Sequence, residues 1–248
     1  SHAPTFSRIL NDPNDPEHIA GATVVAGYPG GSDDMKISCS RVKGFTNKLR
    51  DFYKVAIIDD PIEVARRSDV VFILAVDGRT HLKLFEQIAP VGKPTFVDKP
   101  FCVSLPEAKR MYEVADMFGV RLFASSVYRY ADELVRLLNG IRNRSERILD
   151  CEVTNWMGVF PEEEQTQGRY FWYGIHAIEI LVAVLGVGAT RIMAEGDNRS
   201  DMIQVAYGDG RQGRIRVSRS DSSCKVAIGT SAGKYRLDLT TDVPSFTG

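Results

Sequence analysis

Residues 69–77, DVVFILAVD, and residues 95–100, TFVDKP, decide the fold. In the first stretch seven apolar residues, Val70 to Val76, lie between two aspartates. So short and uniform an apolar run, rich in Val and Ile, predicts a strand buried on both faces, and such strands belong to parallel sheets. The second stretch is a shorter strand that ends in the charged pair Asp98-Lys99 and a turn-forming Pro100. Ligands of open α/β sheets bind at this carboxyl edge of the strands.

Outward from these two strands, helical and strand patterns alternate. Helices are expected over residues 3–10, 40–51, 61–67 and 80–89. A further helix opens on the Ser104–Glu107 capping box and runs to about Phe118. Strands are expected over residues 22–26, 54–58 and 121–124. The second half changes character. A helix over 132–144 and a strand over 149–159 precede an almost wholly apolar helix over 174–185. Hairpin strands follow, with Asp209-Gly210 as a turn between two of them. The expected architecture is an α/β Rossmann-like parallel-sheet domain over residues 1–125. An α+β domain with an open, mainly antiparallel sheet follows over 126–248. A dinucleotide-binding sheet normally opens with a strand and a glycine-rich turn, but this chain begins at the mouth of the first helix. No G-x-G-x-x-G stands in the right context. The sequence therefore reads as a piece of a longer protein, short of the central strand at the front and of a covering element at the back.

Composition narrows the function. The chain has 248 residues, 44% hydrophobic and 25% charged, with a net charge of −1. With no basic excess to neutralise a phosphate backbone, nucleic acid is not an expected partner. No apolar run approaches the roughly 20 residues of a membrane span, and no signal-peptide pattern opens the chain. The four cysteines are scattered without a CxxC pair, as reduced and mostly buried thiols would be, so a cytoplasmic location is expected.

Two loci carry chemistry. Lys99, at the end of its strand, suits contact with a substrate hydroxyl, and Asp98 suits a ribose or the orientation of the lysine. In the second locus, residues 169–179, RYFWYGIHAIE, Gly174 relieves crowding and His176 opens the apolar helix near Arg169, Tyr170 and Tyr173. A lone histidine among apolar residues is more often a core residue than a catalyst. Its place at a helix end and its polar neighbours argue for function. His176 and Glu179 have metal-ligand spacing but no third ligand nearby, so no metal site is expected. Arg214 and Arg216 share a sheet face, read as solvated or subunit-facing.

Strand-Asp98-Lys99-Pro100, followed later by Gly174-x-His176 opening an apolar helix, resembles the glucose-fructose oxidoreductase / inositol dehydrogenase (Gfo/Idh/MocA) family. Residues 69–82, with His81 opening a helix, are similar to that family's strand-loop-helix. Residues 123–130 resemble its crossover, and the hairpins resemble its open sheet. The resemblance implies a domain binding NAD or NADP and oxidation of a hydroxyl, or the reverse, on a sugar, cyclitol or related small molecule. It implies Lys99 and His176 as catalytic residues, with His176 as general base and Lys99 on the reacting oxygen. It places Asp98, Lys99, Pro100, Ala75, Val76 and His81 around the cofactor, and Lys99, Arg129, Arg169, Tyr173 and His176 around a carbohydrate-like substrate. It also implies a homo-oligomer through the second-domain sheet. The family often has an Asp four residues before the histidine, where this chain has Trp172. Two other readings compete: transient use of NAD in glycosidase-type chemistry, and a non-catalytic sensor or binding protein on the same fold.

Overall fold

Helix ends in this chain are written by side chains. Asp60 caps the helix that begins at Pro61 by accepting a hydrogen bond from Ile62 N (2.9 Å). Ser104 accepts from Glu107 N at 3.3 Å, as a capping box requires, while the Glu107 carboxylate accepts from Val103 N (3.2 Å), one residue ahead of the usual position. That helix stops at Gly119, whose φ of 63° suits a residue without a Cβ.

The computed structural model of the protein describes residues 2–156, 158 and 161–241. They fall into two units, one ending at Ala124 and one beginning at Ser125. The first holds the helices α1 (His2–Asn11), α2 (Lys36–Asp51), α3 (Pro61–Arg66), α4 (His81–Ile88) and α5 (Leu105–Phe118). Its strands are β1 (Ala26–Gly27), β2 (Ala56–Ile57), β3 (Val71–Ile73), β4 (Thr95–Val97) and β5 (Leu122–Ala124). All pairings are parallel, as the apolar runs imply, but the strands form two sheets, β1-β2 and β3-β4-β5.

The strands are shorter than their apolar runs, and the run at 70–76 contributes only three ladder residues. Nor is it buried on both faces, for Val70 is 47% and Phe72 43% exposed. The reason is visible in the register. Phe72, Phe96 and Phe123 are cross-strand partners, with ring centroids 5.5 and 5.2 Å apart. Phe6 of α1 meets only the β3 end of this row, edge-on at 5.6 Å. The opposite face is a true core, where Val71, Ile73 and Val97 pack with Phe85, Ile88, Met111 and Val114.

The second unit holds α6 (Asp132–Asn143), α7 (Pro161–Gln167) and α8 (Ile175–Leu185). Its strands are β6 (Ile148–Trp156), β7 (Ala189–Gly196), β8 (Ser200–Tyr207), β9 (Gln212–Ser218), β10 (Lys225–Thr230) and β11 (Gly233–Asp238). They form one sheet in the order β11-β10-β6-β9-β8-β7. Four of its pairings are antiparallel and the β6–β9 pairing is parallel, so the sheet is mixed. Asp209-Gly210 lies in the turn between β8 and β9, with Gly210 at φ 89°. The strand expected over 149–159 ends at Trp156; Met157, Val159 and Phe160 lie outside the described residues. The helix α8 lies on the sheet, burying Ile180, Leu181, Val184 and Leu185 against Val153, Val205, Ile215 and Ile228. Gly213 of β9 makes this approach possible, because a Cβ there would stand 3.0 Å from the Leu181 methyls. No helix among the described residues is long and apolar enough to cross a membrane.

Candidate functional site

In the first unit, the chemistry gathers at the carboxyl ends of the parallel strands. The ladder between β3 and β4 continues one residue past β4, Asp98 N donating to Ile73 O (2.9 Å). This fixes Asp98 at the strand end, where it is buried. One oxygen of its carboxylate accepts from Lys99 N (2.8 Å) and the other contacts the imidazole of His2. The Lys99–Pro100 peptide is cis. Burial pushes the Lys99 ammonium down to about 8, against the opposing pull of the Asp98 carboxylate. A lysine so placed exchanges its proton near neutral pH, as proton-transfer chemistry requires.

Two arrangements around this edge were not legible in the sequence. The first concerns His81, assigned by resemblance to the cofactor. Its ring is fully buried, with Nε2 2.7 Å from Ala75 O and Nδ1 3.3 Å from Phe101 O. A side chain with no exposed surface and both nitrogens on main-chain carbonyls reaches no ligand. His81 instead ties the loop after β3 to the loop that follows Lys99. Ala75 keeps a place at this edge through its backbone, and Val76 remains half-buried beside it. The second arrangement is a charged knot. Buried Asp77 accepts from Ser32 Oγ (2.5 Å) and from the Arg79 guanidinium (2.7 Å), and Arg79 also grips Asp34 at 2.9 and 3.0 Å. The two carboxylates hold the Arg79 pKa above its ordinary value, Asp77 contributing most. This knot joins the loop after β1 to the loop after β3.

A cavity of about 390 Å³ opens at the end of β1, lined by Gly30, Gly31, Ser32, Asp33, Lys43 and Asn47 among others. Gly31 sits at φ 143°, and a Cβ there would stand 2.9 Å from Ser38 Oγ and from Val42. The turn therefore needs glycine, which brings bare backbone to the cavity wall beside α2. Hydroxyl, amide, carboxylate and ammonium groups around bare backbone match the hydroxyl and phosphate groups of a ribonucleotide. This is also the strand end at which a doubly wound sheet takes the adenosine ribose. The residues present thus fit the adenosine end of a dinucleotide, without an acidic residue at the tip of β1, where Tyr28 stands.

In the second unit, His176 occupies the first turn of α8 and is 8% exposed. A π-helical turn, Tyr170–Gly174, leads into it, a local widening often found at functional positions. A Cβ at Gly174 would stand 3.0 Å from the Tyr170 ring, which accounts for the glycine. The His176 ring lies between the edges of Tyr128 (5.3 Å) and Tyr173 (5.4 Å), and Trp156 backs Tyr173 at 5.7 Å. Burial pushes the Tyr128 hydroxyl up to about 12, so it remains a neutral phenol. The His176 Nδ1 lies 2.6 Å from the Oγ of Ser126, a residue to which sequence reasoning gave no role. The one available signal was its position, a serine after a strand end that caps the turn Val127–Tyr130 by accepting from Tyr128 N (3.3 Å).

The other residues assigned to the substrate divide. Arg129 donates to Glu179 at 3.2 Å, and Glu179 lies one turn beyond His176 on α8. Arg169 is engaged within its own unit. Its Nη1 lies 2.9 Å from both oxygens of buried Asp201, which also accepts from the Tyr170 hydroxyl at 3.2 Å. A second fork, Arg219 on Glu164 at 2.8 and 2.6 Å, lies alongside. Arg169 thereby braces the π-turn and β8, with its side chain 31% exposed. Trp172, at the position where the family often has an Asp, is buried.

Comparisons with known proteins bear on the fold. The sequence profile of an oxidoreductase family with an NAD-binding Rossmann fold, GFO_IDH_MocA, matches residues 37–126. No curated protein matches the chain. Similar solved structures include a probable dehydrogenase from Thermotoga maritima, at 19% identity and a TM-score of 0.73, over 88% of this chain and 69% of that one. Myo-inositol 2-dehydrogenase from Lactobacillus plantarum matches at 15% identity and a TM-score of 0.73, over 95% and 72% of the two chains. The WlbA dehydrogenase from Bordetella pertussis, solved with NADH and UDP-GlcNAcA, matches at 15% identity and a TM-score of 0.66, over 81% and 69%. At these identities the likeness is one of fold. Across the solved structures compared, the chain spans 62–72% of their length.

Proposed function

We propose that this chain, whose residues 37–126 match the profile of the Gfo/Idh/MocA oxidoreductase family, carries the chemistry of an NAD- or NADP-dependent dehydrogenase. Its substrate in this reading is a CH–OH group, or the matching carbonyl, on a sugar, cyclitol or related small molecule. The observation that carries the reading is Lys99, fixed at the carboxyl end of β4 with its ammonium pushed down to about 8, inside the matched segment.

The dinucleotide supplies hydride acceptance and donation at its nicotinamide ring. Gly30, Gly31, Ser32, Lys43 and Asn47 would hold the adenosine end, and Asp98 would take the nicotinamide ribose in place of His2. Pro100 and the Ala75–Val76 backbone would shape the wall beside it. Oxidation of a secondary alcohol removes hydride from carbon and a proton from oxygen. By the resemblance, Lys99 in the first unit and His176 in the second are the proposed proton-handling groups, and Arg129 and Tyr173 proposed substrate contacts. The open sheet, with β7 exposed along its whole length and Ile192 65% exposed, supports self-association of the second unit. The unbridged thiols Cys39, Cys102, Cys151 and Cys224 support a cytoplasmic setting.

A panel of cyclitols, free sugars and nucleotide sugars, assayed with NAD and NADP for net formation of reduced nicotinamide, tests this reading. Stoichiometric reduction with at least one hydroxylated substrate is expected. Glycoside cleavage without net reduction would move the chemistry to transient use of the cofactor, and silence across the panel would leave a binding protein.

A further inference from the structure

One edge of the second unit's sheet is complementary to itself. β7 is the edge strand, paired with β8 on one side, and every residue from Ala189 to Gly196 is exposed. Beyond its end, Asp197 N donates to Ser200 O (2.9 Å), which makes these two residues a hydrogen-bonded pair. Such pairs alternate with non-hydrogen-bonded ones along an antiparallel ladder. In the observed register, Glu195, Met193 and Arg191 therefore turn their peptide groups toward Met202, Gln204 and Ala206 of β8. Ile192, Ala194 and Gly196 direct theirs outward, as the open donors and acceptors of an edge. Natural sheets often guard such an edge with proline or lysine, and β7 has neither.

The side chains decide what this edge accepts. Arg191, Met193 and Glu195 share one face of the strand, while Ile192 and Ala194 lie on the other, beside Val205 and Ile203 of the core. Under a two-fold axis, facing residues must lie on the same face of the joined sheet. An axis at Met193 sets Arg191 of each copy opposite Glu195 of the other. It also sets Ile192 opposite Ala194, so that their outward peptide groups meet as hydrogen-bonded pairs. The Arg191–Glu195 pairs then fall at non-hydrogen-bonded positions, where facing side chains come closest. An axis at Ile192 would set Arg191 against Met193, and one at Ala194 would set Glu195 against Met193. Only the axis at Met193 matches both charges.

We infer that β7 is the contact strand of a homodimer, two copies pairing β7 with β7 in antiparallel register about Met193. The two six-stranded sheets then join into one continuous sheet. This rests on the reading that the second unit self-associates, and it commits the contact to the strand edge instead of the sheet face. A two-fold pairing uses each β7 edge once, so it closes as a dimer.

The test is sedimentation velocity on the full chain over a concentration series, where a dimer is expected. Arg191→Glu and Glu195→Arg each set like charges opposite one another at both pairs, and each should raise the dimer dissociation constant about tenfold. Mixing the two variants in equal amounts should restore association, because in the mixed dimer every charge again meets its opposite. Contact at the sheet face gives no reason for that rescue. Met193→Cys, combined with Cys39→Ser to remove the exposed native thiol, should form an intermolecular disulfide with oxidised glutathione, since facing residues at the axis lie within disulfide range. A dimer indifferent to both charge reversals and not cross-linked through position 193 overturns the inference and leaves self-association to another surface. A monomer in the unmodified protein overturns the inference and the self-association reading together. The dehydrogenase reading stands or falls separately, on the substrate panel.

Discussion

Lys99→Met should lower kcat/KM for the alcohol–carbonyl reaction by about 10²- to 10⁴-fold, the usual contribution of a positioned proton-transfer group. Methionine keeps the length and the apolar stem of the side chain while removing the charge that burial penalises, so folding should survive. The pH dependence gives the sharper signature. With its ammonium pushed down to about 8 from an ordinary value of 10.5, Lys99 gains its neutral, proton-accepting form as pH rises through 8. The rate of alcohol oxidation should climb across that pH and then level off, and carbonyl reduction should show the opposite trend. Stability has a matching sign. Below pH 8 the group is charged in both folded and unfolded chains, and the folded form bears the whole desolvation cost. Between about 8 and 10.5 the folded form has shed its proton and the unfolded form has not, so stability rises with pH. The wild-type protein should gain stability relative to Lys99→Met over that window. A flat pH–rate profile would remove Lys99 from proton transfer.

Asp201→Leu should be the most damaging single change in the second unit. It removes the partner of Arg169 and the acceptor of the Tyr170 hydroxyl together. Breaking a buried pair from one side typically costs about 3–5 kcal/mol. The Arg169 side chain is 31% exposed and can turn its charge toward water, so roughly 2–3 kcal/mol is the better expectation. At about 2–4 °C per kcal/mol for a chain of this size, the melting temperature should fall by about 5–10 °C. The double variant Arg169→Met/Asp201→Leu should recover much of that loss, because it leaves no unpaired charge. The same experiment separates two roles for Arg169. As a framework residue, Arg169→Met lowers the melting temperature and spares the substrate KM. As a substrate ligand it would do the reverse.

The sequence was most legible where local chemistry decides the outcome. Asp60-Pro61 and Ser104–Glu107 start helices because capping is a matter of three or four adjacent residues. Parallel pairing followed from apolar runs alternating with helices, and the turn at Asp209-Gly210 from residues that tolerate positive φ. Whatever depends on cover from elsewhere was less legible. The run at 70–76 has the composition of a doubly buried strand, yet Phe72 and Phe123 remain exposed because α1 meets only one end of their aromatic row. Lys99 and His176 were singled out by residue type and by their place at element ends, and the structure puts Lys99 just after β4 and His176 in the first turn of α8. His81 was misassigned because sequence does not show that its nitrogens end on the carbonyls of Ala75 and Phe101. The Arg169–Asp201 pair was not legible because its members lie 32 residues apart. Ser126 went unassigned for the same reason, since its bond to His176 spans 50 residues.

Cofactor binding tests the central claim most directly. The purified protein is titrated with NADH and with NADPH, following fluorescence transfer from the protein to the nicotinamide, and the bound nucleotide is then displaced with the oxidised form. The account requires saturable binding of at least one of the two at micromolar concentration, reversed by its oxidised partner. Absence of binding for both nucleotides at millimolar concentration, in a protein shown to be folded, would contradict it.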